Sequence, residues 1–422
     1  MEWLIGLENT VEYPTDNNFS SLDGLTGIQL KNYWLCLLVR SISHRNFEWL
    51  DMSTFPEIII LVKSDVAKIK QFAMDIDFIQ KIEMWLNFFQ NECEKRSKRI
   101  TIIYDYLDSL IPGEKELRGK LIAALISFWF GNLARFRNIR SKIFLRQDIF
   151  EREVESSLTD KVKIKNNSTE LKWEYDQLLN IVWKRMLEGS VEVEKYFKYL
   201  LNDMFTLSKG KDATLGYVPT FSEDANKIIL DSFLGNYMGS NNKAFPYNWI
   251  IYHLSDTHAN ITPRSILTLF AVTARNQLAD TKPYDQIIRP YNMEISMEVV
   301  SKIRLQDLKE EFPDFVDIFN NLKEYTPQFP VEEKDLRSAL TKIKHTEEGI
   351  QEIIDKLMVI GVIKSYKPKT KDASLRYHIP DIYLIGMSLK RTGPGFHKRF
   401  MKKCINYPIF LMIQNTKDED KK

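Results

Sequence analysis

Two carboxylates three residues apart, at the end of an apolar run, are the sharpest chemical feature of this 422-residue chain. They are Asp105 and Asp108 in Ile102-Ile103-Tyr104-Asp105-Tyr106-Leu107-Asp108. A strand ending in a carboxylate offers oxygen to a hard cation such as magnesium, and a second carboxylate nearby can orient a water molecule. Asp105 could equally serve only to terminate the strand, and both readings stand at this point. Farther along, Ile143-Phe144-Leu145-Arg146-Gln147-Asp148 repeats the pattern with opposite charge. Arg146 or Gln147 could sense a phosphate there while Asp148 fixes the arginine; the alternative is an ordinary strand-to-loop salt bridge.

A third candidate is Arg264 in Ile261-Thr262-Pro263-Arg264, where Thr262 can cap a helix and Pro263 can occupy its first turn. An arginine at a helix N-terminus is electrostatically disfavoured, which points to an anionic partner. Arg135, Arg137 and Arg140 fit the C-terminal end of a helix instead. The fourth feature is basic. Between Gly361 and Lys403, Lys364, Lys367, Lys369, Lys371, Arg376, Lys390, Arg391, Lys398, Arg399, Lys402 and Lys403 face only Asp372 and Asp381. Such a face suits a phosphate backbone or an acidic protein. The six histidines show no zinc-like grouping.

The elements that must position these residues follow from periodicity and punctuation. The run 99–104 reads as a buried parallel strand, 114–137 as a crossover helix and 142–146 as a second buried strand, giving one right-handed βαβ unit. Residues 1–20 read as irregular, 30–42 and 65–93 as helical, and 150–215 as helical with a turn at 165–169. A loop is predicted at 208–220 and further helices to about 280. Lys282-Pro283 and Arg289-Pro290 mark a boundary. Beyond it the sequence predicts helices over 297–324, 333–344 and 346–359, then strands over 362–366 and 374–379, which is winged-helix order. Acidic residues Glu347, Glu348, Glu352 and Asp355 on the last helix disfavour deep insertion into a DNA groove.

Composition sets the frame. A chain that is 44% hydrophobic and 27% charged, with a formal charge of only +2, is a folded protein rather than a polyelectrolyte. Cys36, Cys93 and Cys404 lack zinc or disulfide spacing, and no signal-peptide pattern opens the chain, so a cytoplasmic location is expected. The most apolar stretch, 121–134, falls short of the roughly 20 residues a membrane span needs and reads as a buried helix.

Taken together, IIYDYLD, KIFLRQD, the Thr-Pro-Arg segment and the terminal winged-helix order resemble prokaryotic P-loop ATPases of the AAA-like and STAND-like kind. The resemblance runs from about residue 30 to 395. It implies an α/β plus mainly α fold: a partial P-loop sheet over 1–150, a helical lid over 151–290, a winged-helix-like part over 291–405 and a tail over 406–422. It also implies an ATPase-type regulatory switch, in a family with members in genome-defence or stress settings. Asp105 matches the magnesium-site acid, Asp108 the adjacent acid, Arg146 the first sensor and Arg264 the second. The departure is the phosphate-binding loop, because G-x-x-x-x-G-K-[ST] occurs nowhere in the chain. Magnesium and ATP are therefore expected only where a missing segment or a second chain supplies that loop, with self-association one route. The alternative is a non-catalytic scaffold that binds nucleic acid or an acidic protein through Lys367, Lys369, Lys371 and Arg376.

Overall fold

The computed structural model describes residues 2–7, 13–45, 47–50, 54–205, 207–212, 215–239, 243–313, 315–326, 328–368, 374–392 and 409–413. The chain is mixed α/β and mostly helical, with a five-stranded main sheet and three smaller ones among the described residues. It forms two compact units, Met1–Leu171 with Pro408–Lys422, and Lys172–Tyr407. Among the described residues no helix is long and apolar enough to cross a membrane.

The first unit is built on a sheet of β1 (Glu2–Leu7), β2 (Ile100–Tyr104), β3 (Ile139–Arg146) and β4 (Ser168–Leu171), with a fifth strand, β12 (Ile409–Ile413), between β3 and β4. β1, β2 and β3 are parallel; β12 runs antiparallel to both β3 and β4. In β2 all residues but Ile103 are buried, as a strand covered on both faces requires. β3 alternates instead, burying Ile139, Ser141, Ile143 and Leu145. β1 corrects the expectation of an irregular start. Its two-residue alternation is short, and exposed Trp3 and Ile5 mask it. Gly6 lets β1 lie close to β2, since a Cβ there would meet Ile102 and Tyr104 side chains at 2.6 Å.

Of three long helices, Gly27–His44, Ile76–Lys95 and Lys115–Gly131, the first and third pack on this sheet and the second packs on the first. Trp34 on the first is wholly buried and donates its indole N–H to the Leu121 carbonyl on the third, at 2.9 Å. Gln90 on the second exchanges hydrogen bonds with Asn138, just ahead of β3, and Asn138 in turn reaches the Lys98 carbonyl ahead of β2. The starts of the two central strands are thereby tied to one helix. The expected helix over 65–93 is divided at Asp75, whose carboxylate caps the 76–95 helix by accepting from the Phe78 amide.

In the second unit, helices Tyr175–Gly189, Val191–Leu201, Glu223–Leu234 and Pro263–Ala279 enclose Trp183, which meets Phe197, Phe233 and Phe270 edge-on. The Trp183 indole N–H donates to buried Asn226 at 2.6 Å, and Asn226 donates to Asp176 at 2.8 Å, so the polar atoms of this core are joined. The loop expected over 208–220 contains a hairpin, β5 (Leu207–Asp212) with β6 (Gly216–Pro219). β4 likewise stands where a turn was expected. β4 and β5 are short and polar, leaving no apolar period to read.

The helix expected over 297–324 is two helices, Pro290–Glu311 and Phe315–Tyr325. There follow β7 (Gln328–Phe329), β8 (Val331–Glu332), helices Glu333–Leu340 and Glu347–Val359, β9 (Lys364–Tyr366), β10 (Arg376–His378) and β11 (Lys390–Arg391). β8, β10 and β9 form an antiparallel sheet in that order, and β7 pairs with β11.

Candidate functional site

β2 and β3 are neighbours, with Tyr104 opposite Ile143, so their C-terminal ends share one sheet edge. Asp105 leaves β2 at that edge and is exposed. The next residue, Tyr106, takes the left-handed conformation with φ 58°, and its amide donates to Asp105 Oδ1 at 2.8 Å. Leu107 is fully buried and anchors the short 3₁₀ turn Leu107–Ser109, which holds Asp108 at partial exposure.

A buried ion pair supports the turn from below. Arg118, on the 115–131 helix, donates from Nε and Nη2 to both Glu153 oxygens at 2.8 and 2.6 Å. Its Nη1 donates to the Asp108 carbonyl at 3.1 Å. Glu153 lies in the π-helical turn Phe150–Val154 that follows β3. Gly119 allows this approach: a Cβ there would stand 2.2 Å from the Glu153 carbonyl oxygen. The segments after β2 and after β3 are thus locked to one guanidinium. Nothing in the spacing of Arg118 and Glu153 announced this. The available signal was a charged residue and a glycine side by side ahead of the apolar run 121–126.

At the end of β3, Arg146 forms a two-pronged pair with Asp148, Nε to Oδ1 and Nη2 to Oδ2, each 3.0 Å. Gln147 instead donates to Glu151 at 2.6 Å. Asp105, Asp108 and Arg146 therefore share the edge. Arg264 belongs to the second unit, where Thr262 caps its helix and its guanidinium donates to Asp307 at 2.7 Å. Among the described residues no three His, Cys, Asp or Glu side chains are grouped to hold a metal ion. A pair of carboxylates suits magnesium nonetheless, because that ion keeps several waters and takes further oxygens from phosphate.

The basic hairpin is only partly within the described residues. Lys367 is exposed beyond β9, whereas Lys369 and Lys371 lie outside the described residues. Arg376 on β10 faces Glu332 on β8 and donates to it at 3.3 Å. Burial holds the Lys364 ammonium below the usual lysine range. Close by, Asp381 is buried and accepts from Arg391, whose Nη1 also donates to Tyr252 Oη at 2.7 Å. His253 Nε2 stands 3.4 Å from Asp381. Burial, with Arg391 adding to it, pushes the His378 imidazole down to about 4. Against known protein families, curated proteins and solved structures, the chain finds no match.

Proposed function

We propose that this chain is the acidic and sensor half of an ATPase-type regulatory switch whose phosphate-binding loop comes from a missing segment or another chain. The observation that carries the reading is the shared edge: exposed Asp105 at the end of β2, beside Arg146 fixed by Asp148 at the end of parallel β3. Ligands of open α/β sheets bind outside the carboxyl ends of the strands, and this pair supplies oxygen for a cation and a guanidinium for phosphate there. Asp105 would hold magnesium, Asp108 would stand beside it, and Arg146 would meet the γ-phosphate. Arg118 and Glu153 position the turn without touching ligand. The bound magnesium would neutralise phosphate charge. Arg264 would act only after leaving Asp307. The order helix, β8, helix, helix, β9, β10 supports a winged-helix module as the part that reads the switch.

Calorimetric titration of the chain with Mg-ATP tests the proposal. Weak binding that falls at least tenfold in Asp105→Ala is expected. Binding indifferent to that substitution refutes it.

The scaffold reading draws on exposed Lys367 at the hairpin. It is weakened by Arg376, which already faces Glu332. It requires salt-sensitive binding to duplex DNA that Lys367→Glu reduces.

A further inference from the structure

The two faces of the parallel strands β1, β2 and β3 are unlike. On one, the row Leu4, Ile102, Ser141 is buried throughout, and Ile100 beside Ile139 is buried as well. The other face carries the rows Trp3, Thr101, Arg140 and Ile5, Ile103, Lys142. There Trp3 is 48% exposed and Ile5 45%, Ile103, Arg140 and Lys142 are half-buried, and Thr101 alone is buried. Parallel strands are ordinarily covered on both faces, so an open area on them calls for an occupant.

This area is basic and aromatic. Lys142 Nζ lies 4.8 Å from the centroid of the Trp3 ring, which joins cation and indole in one surface. The helix ahead of β3 ends at Gly131, so Arg140 belongs to the strand and not to a helix terminus. Burial, and then exposed Arg99 just ahead of β2, hold the Arg140 guanidinium below the usual arginine range, which places the two arginines close together. Arg99 and Lys142 form no ion pair among the described residues, and no Asp or Glu occupies either row. Three cations gathered around one indole suit a ligand that is both anionic and flat. A partner helix would need a continuous apolar stripe to dock on. Here Trp3 and Ile5 are the only largely exposed apolar side chains of the two rows, with cations beside them. Bases stack singly on rings while the phosphates between them take cations. The spacing offers that, at about 10 Å across the strands from Trp3 to Arg140 and about 6.6 Å along β3 from Arg140 to Lys142.

We propose that this face of the first unit binds single-stranded nucleic acid, with a base on Trp3 and phosphates on Arg99, Arg140 and Lys142. The site lies toward the N-terminal ends of the strands, about 20 Å along β3 from Arg146, and is independent of the nucleotide edge. The one hydroxyl of the two rows, on Thr101, is buried, so nothing there reads a 2′-hydroxyl and DNA and RNA bind alike.

Fluorescence anisotropy of the full chain with labelled oligo(dT) and oligo(U) of about 15 nucleotides, and with a duplex of the same length, tests the site. The chain should bind the two single strands within about threefold of each other and at least tenfold more tightly than the duplex. Trp3→Ala should weaken single-strand binding at least fivefold, whereas Trp3→Phe should keep it within about threefold. Arg99→Glu and Lys142→Glu should each weaken it at least tenfold. They should also flatten its salt dependence, which for three phosphate contacts is roughly a 20-fold loss between about 50 and 200 mM salt. Urea unfolding should be the same in all four variants, since none of these side chains is buried. No binding of either single strand, binding that ignores these substitutions, or binding lost instead in Lys367→Glu overturns the inference. So does tighter binding of a labelled amphipathic helical peptide with an acidic polar face, which would make the occupant a protein.

Discussion

The sheet edge of the first unit and the charged clusters of the second treat charge in opposite ways. At the edge, Asp105 is exposed and pairs with no cation among the described residues, while Arg118 and Glu153 close on each other in the interior beneath it. In the second unit Arg264 is paired with Asp307, Arg289 with Asp280 and Arg376 with Glu332, and Arg391 with the buried Asp381. A carboxylate left open at a strand end keeps its water and is ready for a cation. An arginine already paired must first surrender a partner, although for an exposed pair that costs only about 0–1 kcal/mol. At the edge, too, Arg146 is already paired, with Asp148, so the contrast lies in Asp105.

The largest expected effect is on the brace. Arg118→Met leaves Glu153 in a nearly buried place without its cation, and removal of one partner of such a pair costs about 3–5 kcal/mol. Urea unfolding of the first unit should show that loss, and a change below about 1 kcal/mol would mean that the pair does not brace the edge. Next comes the joined polar core of the second unit. Asn226→Leu strands the Trp183 indole N–H and removes a donor from Asp176, with an expected loss of about 1–3 kcal/mol. A second-unit loss larger than that of Arg118→Met would reverse the comparison.

How far these features could be read beforehand depended on what carries them. β2 announced itself because a strand buried on both faces is a run of β-branched residues, and the ends at Asp105 and Arg146 followed directly. The Thr262 cap and Pro263 were legible because capping chemistry is local. β1 and β12 were not, since short strands owe their state to the neighbours they pair with, and pairing from Glu2 to Ile100 or from Ile409 to Arg146 leaves no local trace. Arg118 with Glu153 was hidden for the same reason: two charges 35 residues apart meet only after β3 and its π turn bring them together.

Acid should act on the second unit through His378. Its imidazole, ordinarily near 6.5, is held at about 4 by burial and Arg391, against the opposing pull of Asp381, with Lys364 acting in the same sense as Arg391. The folded chain therefore keeps this ring neutral where the unfolded chain would protonate it. The associated stability is whole above pH 6.5, declines as pH falls toward 4, and is flat below that. Thermal unfolding at pH 7 and pH 5 should show a drop that is smaller in His378→Gln. An equal drop in both proteins would assign the acid sensitivity to other groups.

The smallest expected change in stability belongs to the residue expected to matter most for binding. Asn in place of Asp105 keeps an oxygen that can accept from the Tyr106 amide, so the turn at φ 58° retains its internal hydrogen bond. The side chain is exposed and takes part in no ion pair among the described residues, so Asp105→Asn should alter unfolding by no more than about 0.5 kcal/mol. Mg-ATP binding should nevertheless fall at least tenfold, because the amide keeps the geometry and loses the charge. A substitution that spared both properties would make Asp105 an ordinary strand end. One that damaged both equally would make it part of the brace with Arg118 and Glu153. Only a split between the two, loss of binding with stability intact, separates a carboxylate kept open for a cation from one kept for the fold.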